Sequence, residues 1–299
     1  MRVSARRGAA AFFNGLIVTA FLYLLINPEI ASASVTEGIY FCVKIIVPSL
    51  YIYMILARMI ISMPFSELLF SRLGRYGTEV GVFTLGMLCG FPIGAKSAVF
   101  LYENSRISKK RAEFICAFTN NASVSFLLSY MGAILFSDIR VGIRLVVFQL
   151  ISSLSTAIII RFVCMKKEDF KATQFLSGKR ENLGEAVIDS TYTMLSVCAL
   201  IITFFVLGEI ALNIVPAAGI WLVLLRGLFE FSSGCASAVS LEPDMAFLAS
   251  GLLIGFSGLC VIMQVLSVIR GILSPRLYLA GRLISTAIFG ILLIVFGIA

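Results

Sequence analysis

Gly90-Phe-Pro-Ile-Gly-Ala-Lys96 and Phe118-Thr-Asn-Asn-Ala-Ser123 each fall in the middle of an apolar run. Both contain what a membrane helix normally avoids: the first has two glycines and a proline within five residues followed by a lysine, the second an asparagine pair. In hydrocarbon an unpaired backbone N–H or C=O costs several kcal/mol, so non-helical backbone survives at membrane depth only inside protein or beside a water-filled cavity. Two such breaks in neighbouring segments predict a cavity. Broken helices that recur in both halves of a chain are the sequence mark of a transporter's binding site, and a second copy is present. Gly94-Ala-Lys-Ser-Ala-Val-Phe-Leu101 lies over Gly234-Cys-Ala-Ser-Ala-Val-Ser-Leu241 at an offset of about 140, and Phe118-Thr-Asn-Asn lies over Phe256-Ser-Gly-Leu at an offset of 138. The order of the two blocks and their nearly constant offset argue for a repeat where either block alone would not.

Composition sets the solvent. With 60% hydrophobic residues, 13% charged residues and a mean hydropathy of +1.02, the chain is outside the range of soluble domains and reads as a polytopic membrane protein. Its 299 residues hold roughly seven spans of about 20 residues plus two half-depth hairpins. The net charge of +8 needs no nucleic acid, because basic residues gather in the cytoplasmic loops of membrane proteins. The seven cysteines form no CxxC pair and lie mostly in apolar segments, where small buried side chains are expected rather than disulfides or metal ligands. There is no histidine, which removes the commonest metal ligand and general base. Neither a metal, a cofactor nor an enzymatic activity is expected, since no Ser/Lys dyad or paired aspartates stand at convincing spacing.

Taken in order, an apolar run at 11–27 follows Arg2, Arg6 and Arg7. It is read as a retained first span; a cleaved signal is the rival, since Ala31-Ser-Ala-Ser34 resembles a cleavage site. A second span at about 36–63 carries Lys44 and Pro48. The first broken segment, 79–102, has Arg72 and Arg75 before it and Arg106, Lys109, Lys110 and Arg111 after it, so it enters and leaves on one face as a re-entrant hairpin. A third span (112–136) crosses through Asn120-Asn121, a fourth returns at 141–163, and a basic loop covers 165–185. The second half repeats the plan: a span at 186–212, a hairpin at 217–241 with no basic flank, a span at 246–269 broken at Gly255-Phe-Ser-Gly258, and a last span from 278. Apart from Arg140 and Arg144 outside, and Lys44, Arg58, Lys96 and Arg226 at membrane depth or its edge, every basic residue falls on the cytoplasmic side of this plan. The expected fold is an all-α polytopic membrane protein, an inverted-topology repeat with two re-entrant hairpins and discontinuous transmembrane helices. It forms one integral domain over 1–299: an extra span (1–35), repeat one (36–163), the basic loop (164–185) and repeat two (186–299). The N-terminus is expected in the cytoplasm of a bacterial cell, with the chain in the cell membrane.

Several motifs bring a family to mind on residues alone. VPSLYIYMILA (47–57), GFPIGAK, SRISKKRAEFICAFTNNAS (105–123), GLFEFSSG (227–234) and LIGFSGLCVIMQ (253–264) resemble, in order, the PSLFPF, GYPVGA, ISxxEA…FxNNSGP, LEITSG and FGGLSVxxQ patterns of the YlbJ-like sporulation integral membrane proteins, within the broader nucleoside-recognition (Gate) domain family. The resemblance spans about residues 36–270. The chain departs from it at Ala122-Ser-Val124, where the family pattern has Gly-Pro, and at Arg111-Ala-Glu113. What the resemblance implies is a sporulation-linked membrane protein related to domains of nucleoside transporters and ferrous-iron permeases; it implies no substrate.

The candidate substrate-binding residues are Gly90, Pro92, Gly94, Lys96, Asn120, Asn121, Glu230, Ser232, Ser233, Gly234, Ser257 and Gln264. Each also has a plainer reading. The glycines and prolines serve as packing kinks, the asparagines, serines and Gln264 as interhelical hydrogen-bonders, and Glu230 as the partner of Arg226 four residues earlier. A charge at membrane depth is functional by default. With half-helices expected to start at Gly94 and Gly234, two positive dipole ends plus Lys96 favour a polar, partly anionic solute over a cation. Two functions remain open: a secondary transporter or permease of a small polar solute, and a non-transporting component that recruits partners during spore envelope formation. Expected partners are the lipid bilayer and the solute, with no nucleic acid and a homo-oligomer left open. In a cysteine-free background, single cysteines at Asn104 and Ser177 are expected to label only from the cytoplasm and one at Glu242 only from outside. Labelling of Asn104 from outside contradicts the hairpin.

Overall fold

The computed structural model describes residues 2–63, 74–170 and 182–297; Arg72, Lys171, Ser177, Lys179 and Arg180 of the two basic loops lie outside them. Every element named here is helical. Helix α1 covers Arg2–Ile26, α2 Pro28–Phe41 and α3 Val47–Ser62, the last two joined by a π-helical turn at Cys42–Ile46. Next come α4 (Gly77–Cys89), α5 (Ile93–Glu103), α6 (Lys109–Thr119) and α7 (Phe126–Leu135), the last wound as a π-helix, then α8 (Ile139–Cys164). The second half holds α9 (Leu183–Ile214), α10 (Ile220–Phe229), α11 (Phe231–Ala238), α12 (Pro243–Phe256), α13 (Gly258–Ile269) and α14 (Arg276–Phe296).

Among the described residues, five stretches are long and apolar enough to cross a bilayer: Pro28–Ser62, Ile139–Cys164, Leu183–Ile214, Pro243–Ile269 and Arg276–Phe296. The first of these begins at Pro28, not near 36, so Ala31–Ser34 lies inside a continuous helix. Pro48 does not end it. A helix-interior proline deprives the carbonyl four residues back of its donor and crowds it; here the π-turn just before it widens the coil, and the Ser49 hydroxyl donates to Ile45 O at 2.6 Å. The expected span at 112–136 is divided into α6, a non-helical stretch at 120–123, and α7.

The ends of the helices gather in two levels. At one level Arg106 Nη1 meets Ile61 O at 3.1 Å, Arg111 clamps Glu79 through Nε and Nη2 at 2.6 and 2.8 Å, Arg161 reaches the Tyr76 hydroxyl and Ser274 N donates to Glu113 at 2.8 Å. At the other, Arg144 donates to Phe296 O at 2.7 Å. The start of α4 and the start of α6, which directly follows α5, are thus neighbours, and α5 runs back alongside α4. Helices α10 and α11 fold back more tightly. A Cβ on Gly234 would lie 2.3 Å from Gly227 Cα, so the two helices touch backbone to backbone, as small residues allow in membranes.

All seven cysteines are free; Cys42, Cys89, Cys116, Cys235 and Cys260 are buried as expected, whereas Cys198 is half-buried and Cys164 exposed.

Glu79 and Arg111 are almost wholly enclosed, with side chains 6% and 5% exposed. Removing one partner of such a pair leaves the other charge buried alone, roughly 3–5 kcal/mol. Glu79→Ala is therefore expected to lower thermal stability in detergent sharply, and Glu79→Ala/Arg111→Leu to recover much of the loss. A double variant worse than the single one contradicts that account.

Candidate functional site

The break between α4 and α5 and the break between α10 and α11 meet in the core. In the first, Gly90 takes φ +78°, a left-handed conformation open mainly to glycine; a Cβ there would meet Ser123 at 3.1 Å. In the second, Glu230 is extended and α11 starts at the next residue. Gly90 and Glu230 stand 140 apart, the offset of the sequence repeat. So do Phe91 and Phe231, whose rings meet edge to face at 5.9 Å between centroids. Phe126 adds a third ring at 5.5 Å from Phe231.

Beside these rings lies a cavity of ≈ 40 Å³ whose wall includes Gly90, Ser123, Glu230, Ser232 and Gln264, with Ser49 and Leu50 from α3 and Val197 and Ile201 from α9. That is space for a few water molecules at most, one needing roughly 10–15 Å³.

Glu230 is the N-cap of α11. Its carboxylate accepts from Ser233 N at 2.7 Å, Ser232 N at 3.2 Å and the Ser232 hydroxyl at 2.7 Å, where a helix N-terminus favours negative charge. It is 1% exposed and has no cationic partner among the described residues. The expected pair with Arg226 does not form. The i,i+4 relation holds only along one continuous helix, and α10 ends between the two residues. Arg226 turns instead to Glu209 of α9 and to Ser237 Oγ at 2.9 Å.

Lys96 is also displaced from its expected role. It points away from Glu230, toward Asp189 of α9 at 2.7 Å and Thr193, with Arg58 on the same carboxylate at 2.7 Å. Nor do the half-helices start at Gly94 and Gly234: α5 starts at Ile93 and α11 at Phe231, and both glycines lie inside their helices. A Cβ on Gly94 would lie 2.5 Å from Thr119 O, so this glycine lets α5 press on α6. Neither N-terminus is left open to an anion. Glu230 caps one, and at the other Ala95 N donates to Asn120 Oδ1 at 2.9 Å.

The asparagine pair holds the broken span together. Asn120 Nδ2 donates to Cys116 O at 2.8 Å; Asn121 accepts from Ser153 of α8 at 2.8 Å and donates to Phe118 O at 3.0 Å. Ser123 and Ala122, not the asparagines, reach the cavity. Pro92 forms the turn after Gly90. Ser233 donates its hydroxyl to Glu230 O, and Ser257 sits at the second broken span with φ +71°. Thus Gly90, Glu230, Ser232 and Gln264 are brought together, and Lys96, Asn120, Asn121 and Ser257 stand outside the cavity wall.

Arg282 is the residue that sequence reasoning missed. It lies in α14, 4% exposed, and donates to Ser257 Oγ at 2.9 Å, Gly255 O at 3.3 Å and Asn120 O. One guanidinium therefore satisfies carbonyls at the ends of α6 and α12, and it lies 5.9 Å over the Phe91 ring. Placed among the basic residues that follow the sixth span, it looks like a cytoplasmic-end charge. The signal was its position two turns inside an apolar run.

A helical chain with several bilayer-length apolar stretches, two of them flanking broken helices, is a multi-pass integral membrane protein. No family model matches it, and no solved structure matches it. The chain is similar to the sporulation integral membrane protein YlbJ of Bacillus subtilis (strain 168), with 26% identity over 312 aligned positions covering 85% of this chain and 75% of the relative.

Losing Arg282 would strip the buried Asn120 O of its donor, at roughly 1–3 kcal/mol, and remove one of the two donors on Gly255 O. Arg282→Ala is expected to cut the yield of folded protein and its melting temperature in detergent, with Arg282→Lys intermediate. Wild-type stability of the alanine variant would remove this residue from the account.

Proposed function

We propose that the chain is a secondary transporter or permease of a small polar solute, with the site between the tips of two re-entrant hairpins of an inverted repeat. The observation that carries this proposal is the meeting of the two breaks, Phe91 against Phe231 with Glu230 beside them. Broken helices whose ends converge at mid-depth are how secondary transporters build a site. The order of elements also supports it: a long helix, a helix–break–helix hairpin, a broken span and a long helix occur twice. The ends of the first hairpin lie with the start of α9, while α10 begins and α11 ends toward its far end, where Arg226 reaches Glu209 and Ser237, which supports an inverted pair. The charge rule supports a cytoplasmic location for the level bearing Arg75, Arg106, Lys109, Lys110 and Arg161, and with it a cytoplasmic N-terminus.

Membership in the Gate domain family fits this plan, and the resemblance to YlbJ supports a role in sporulation. Lys96 is engaged by Asp189 and Thr193 outside the cavity wall, Glu230 caps α11 and Asn120 takes the Ala95 N–H, so the anion preference expected from sequence has no support at this cavity. Recognition falls to Glu230, Ser232, Gln264 and backbone at Gly90. No cofactor, enzymatic step or nucleic acid enters this mechanism.

The test is reconstitution into liposomes incubated with a small-molecule extract of sporulating cells, followed by mass spectrometry of the lumen. Wild type is expected to accumulate at least one polar solute over protein-free liposomes. Glu230→Ala, which also uncaps α11, is expected to lower that flux about tenfold, equivalent to about 1.4 kcal/mol, and Ser232→Ala to lower it less. A crosslinked protein partner with no solute flux would favour the recruiting component instead.

A further inference from the structure

A second cavity lies far from the hairpin tips. Helices α4 and α8 stand apart, and α6 floors the slot between them, leaving ≈ 310 Å³. Its walls are apolar and largely aromatic: Val80 and Phe83 from α4, Phe114 and Phe118 from α6, Leu154 and Ile158 from α8. The slot opens sideways, because Val80, Ile158 and Phe162 along its lip are 45%, 57% and 83% exposed. In a membrane protein that exposure faces acyl chains.

One end of the slot is different. Tyr76 and Arg161 close it at the level of the basic loops, and the exposed Arg75 guanidinium lies over the Tyr76 ring at 4.8 Å. Two acids near it are engaged elsewhere: Glu79 is clamped by Arg111, and Asp169 pairs with Lys110 at 2.8 Å. Arg161 spends Nε on the Tyr76 hydroxyl and Nη1 on Met165 O at 2.8 Å, and no hydrogen bond among the described residues takes its Nη2. The excess positive field registers on Tyr76, whose phenol is held below its usual pKa first by the hydrogen bond from Arg161 and then by the charges of Arg161 and Arg75. An apolar slot ending in unpaired cationic donors at one membrane face is complementary to a molecule with an acyl chain and a phosphate. Basic pockets between transmembrane helices on the cytoplasmic side bind anionic lipid head groups on the same physics.

We propose that this slot binds an anionic glycerophospholipid of the surrounding leaflet, with an acyl chain between α4 and α8 and the phosphate at Arg75 and Arg161. The lipid would fill the gap between the first hairpin and α8 and so brace the hairpin's outer helix.

The experiment is native mass spectrometry of the full chain after exchange with equimolar phosphatidylglycerol and phosphatidylcholine of the same acyl chains. Wild type is expected to retain phosphatidylglycerol with a preference of roughly tenfold or more, each basic side chain near the surface contributing about a factor of five. Arg75→Gln, an exposed change, is expected to reduce the preference severalfold and Arg75→Gln/Arg161→Gln to abolish it, with phosphatidylcholine still retained. Ala157→Trp, which fills the slot, is expected to remove one bound lipid of either kind. Equal retention of both lipids by wild type, an unchanged preference in Arg75→Gln, or displacement of the bound lipid by inorganic phosphate alone would overturn the proposal.

Discussion

A helix that stops in hydrocarbon leaves backbone donors and acceptors with no water to take them, and this chain interrupts its helices repeatedly. The structure depends on how those groups are satisfied. Arg282 supplies donors to Asn120 O at the end of α6 and to Gly255 O and Ser257 near the end of α12. Asn120 in turn accepts from the first turn of α5, and Glu230 accepts from the first turn of α11. The two broken spans and the first hairpin are therefore joined through one guanidinium, and only the second hairpin provides its own cap.

That division has a consequence for function. Glu230 is a buried carboxylate held by neutral donors, and Arg282 is a buried cation held by neutral acceptors; each lacks an opposite charge among the described residues. Between them stand the rings of Phe91 and Phe231. A buried charge satisfied only by hydrogen bonds is costly to keep, and retaining one on each side of the contact between the hairpin tips fits a site that exchanges partners. The small cavity beside Glu230 borders that contact, and separating the phenylalanines would enlarge it.

Much of this was legible in the sequence, for reasons of local chemistry. Two glycines around Pro92 cannot sustain a membrane helix, and the break is where they stand. Glu230 was singled out as a charge at membrane depth, and the offset of 140 that relates the hairpins also relates Phe91 to Phe231. What failed were inferences that needed distance or direction. The pairing of Arg226 with Glu230 assumed a continuous helix. Lys96 is not free because Asp189, far along the chain on α9, faces it and takes its ammonium. Asn120 and Asn121 read equally well as site or glue, and only their partners on α5, α6 and α8 distinguish the two. Arg282 was hidden by a charge rule that assigns loops and says nothing of an arginine turned into the core.

The central claim is that the tips of the two hairpins meet inside the membrane. It is tested most directly by placing cysteines at Phe91 and Phe231 in a cysteine-free background and treating native membranes with a short bis-methanethiosulfonate reagent. The structure predicts an intramolecular crosslink joining the two halves, recovered as one species after cleavage of the chain within residues 171–181. Two separate fragments, with both cysteines reactive toward a monofunctional reagent, would contradict it.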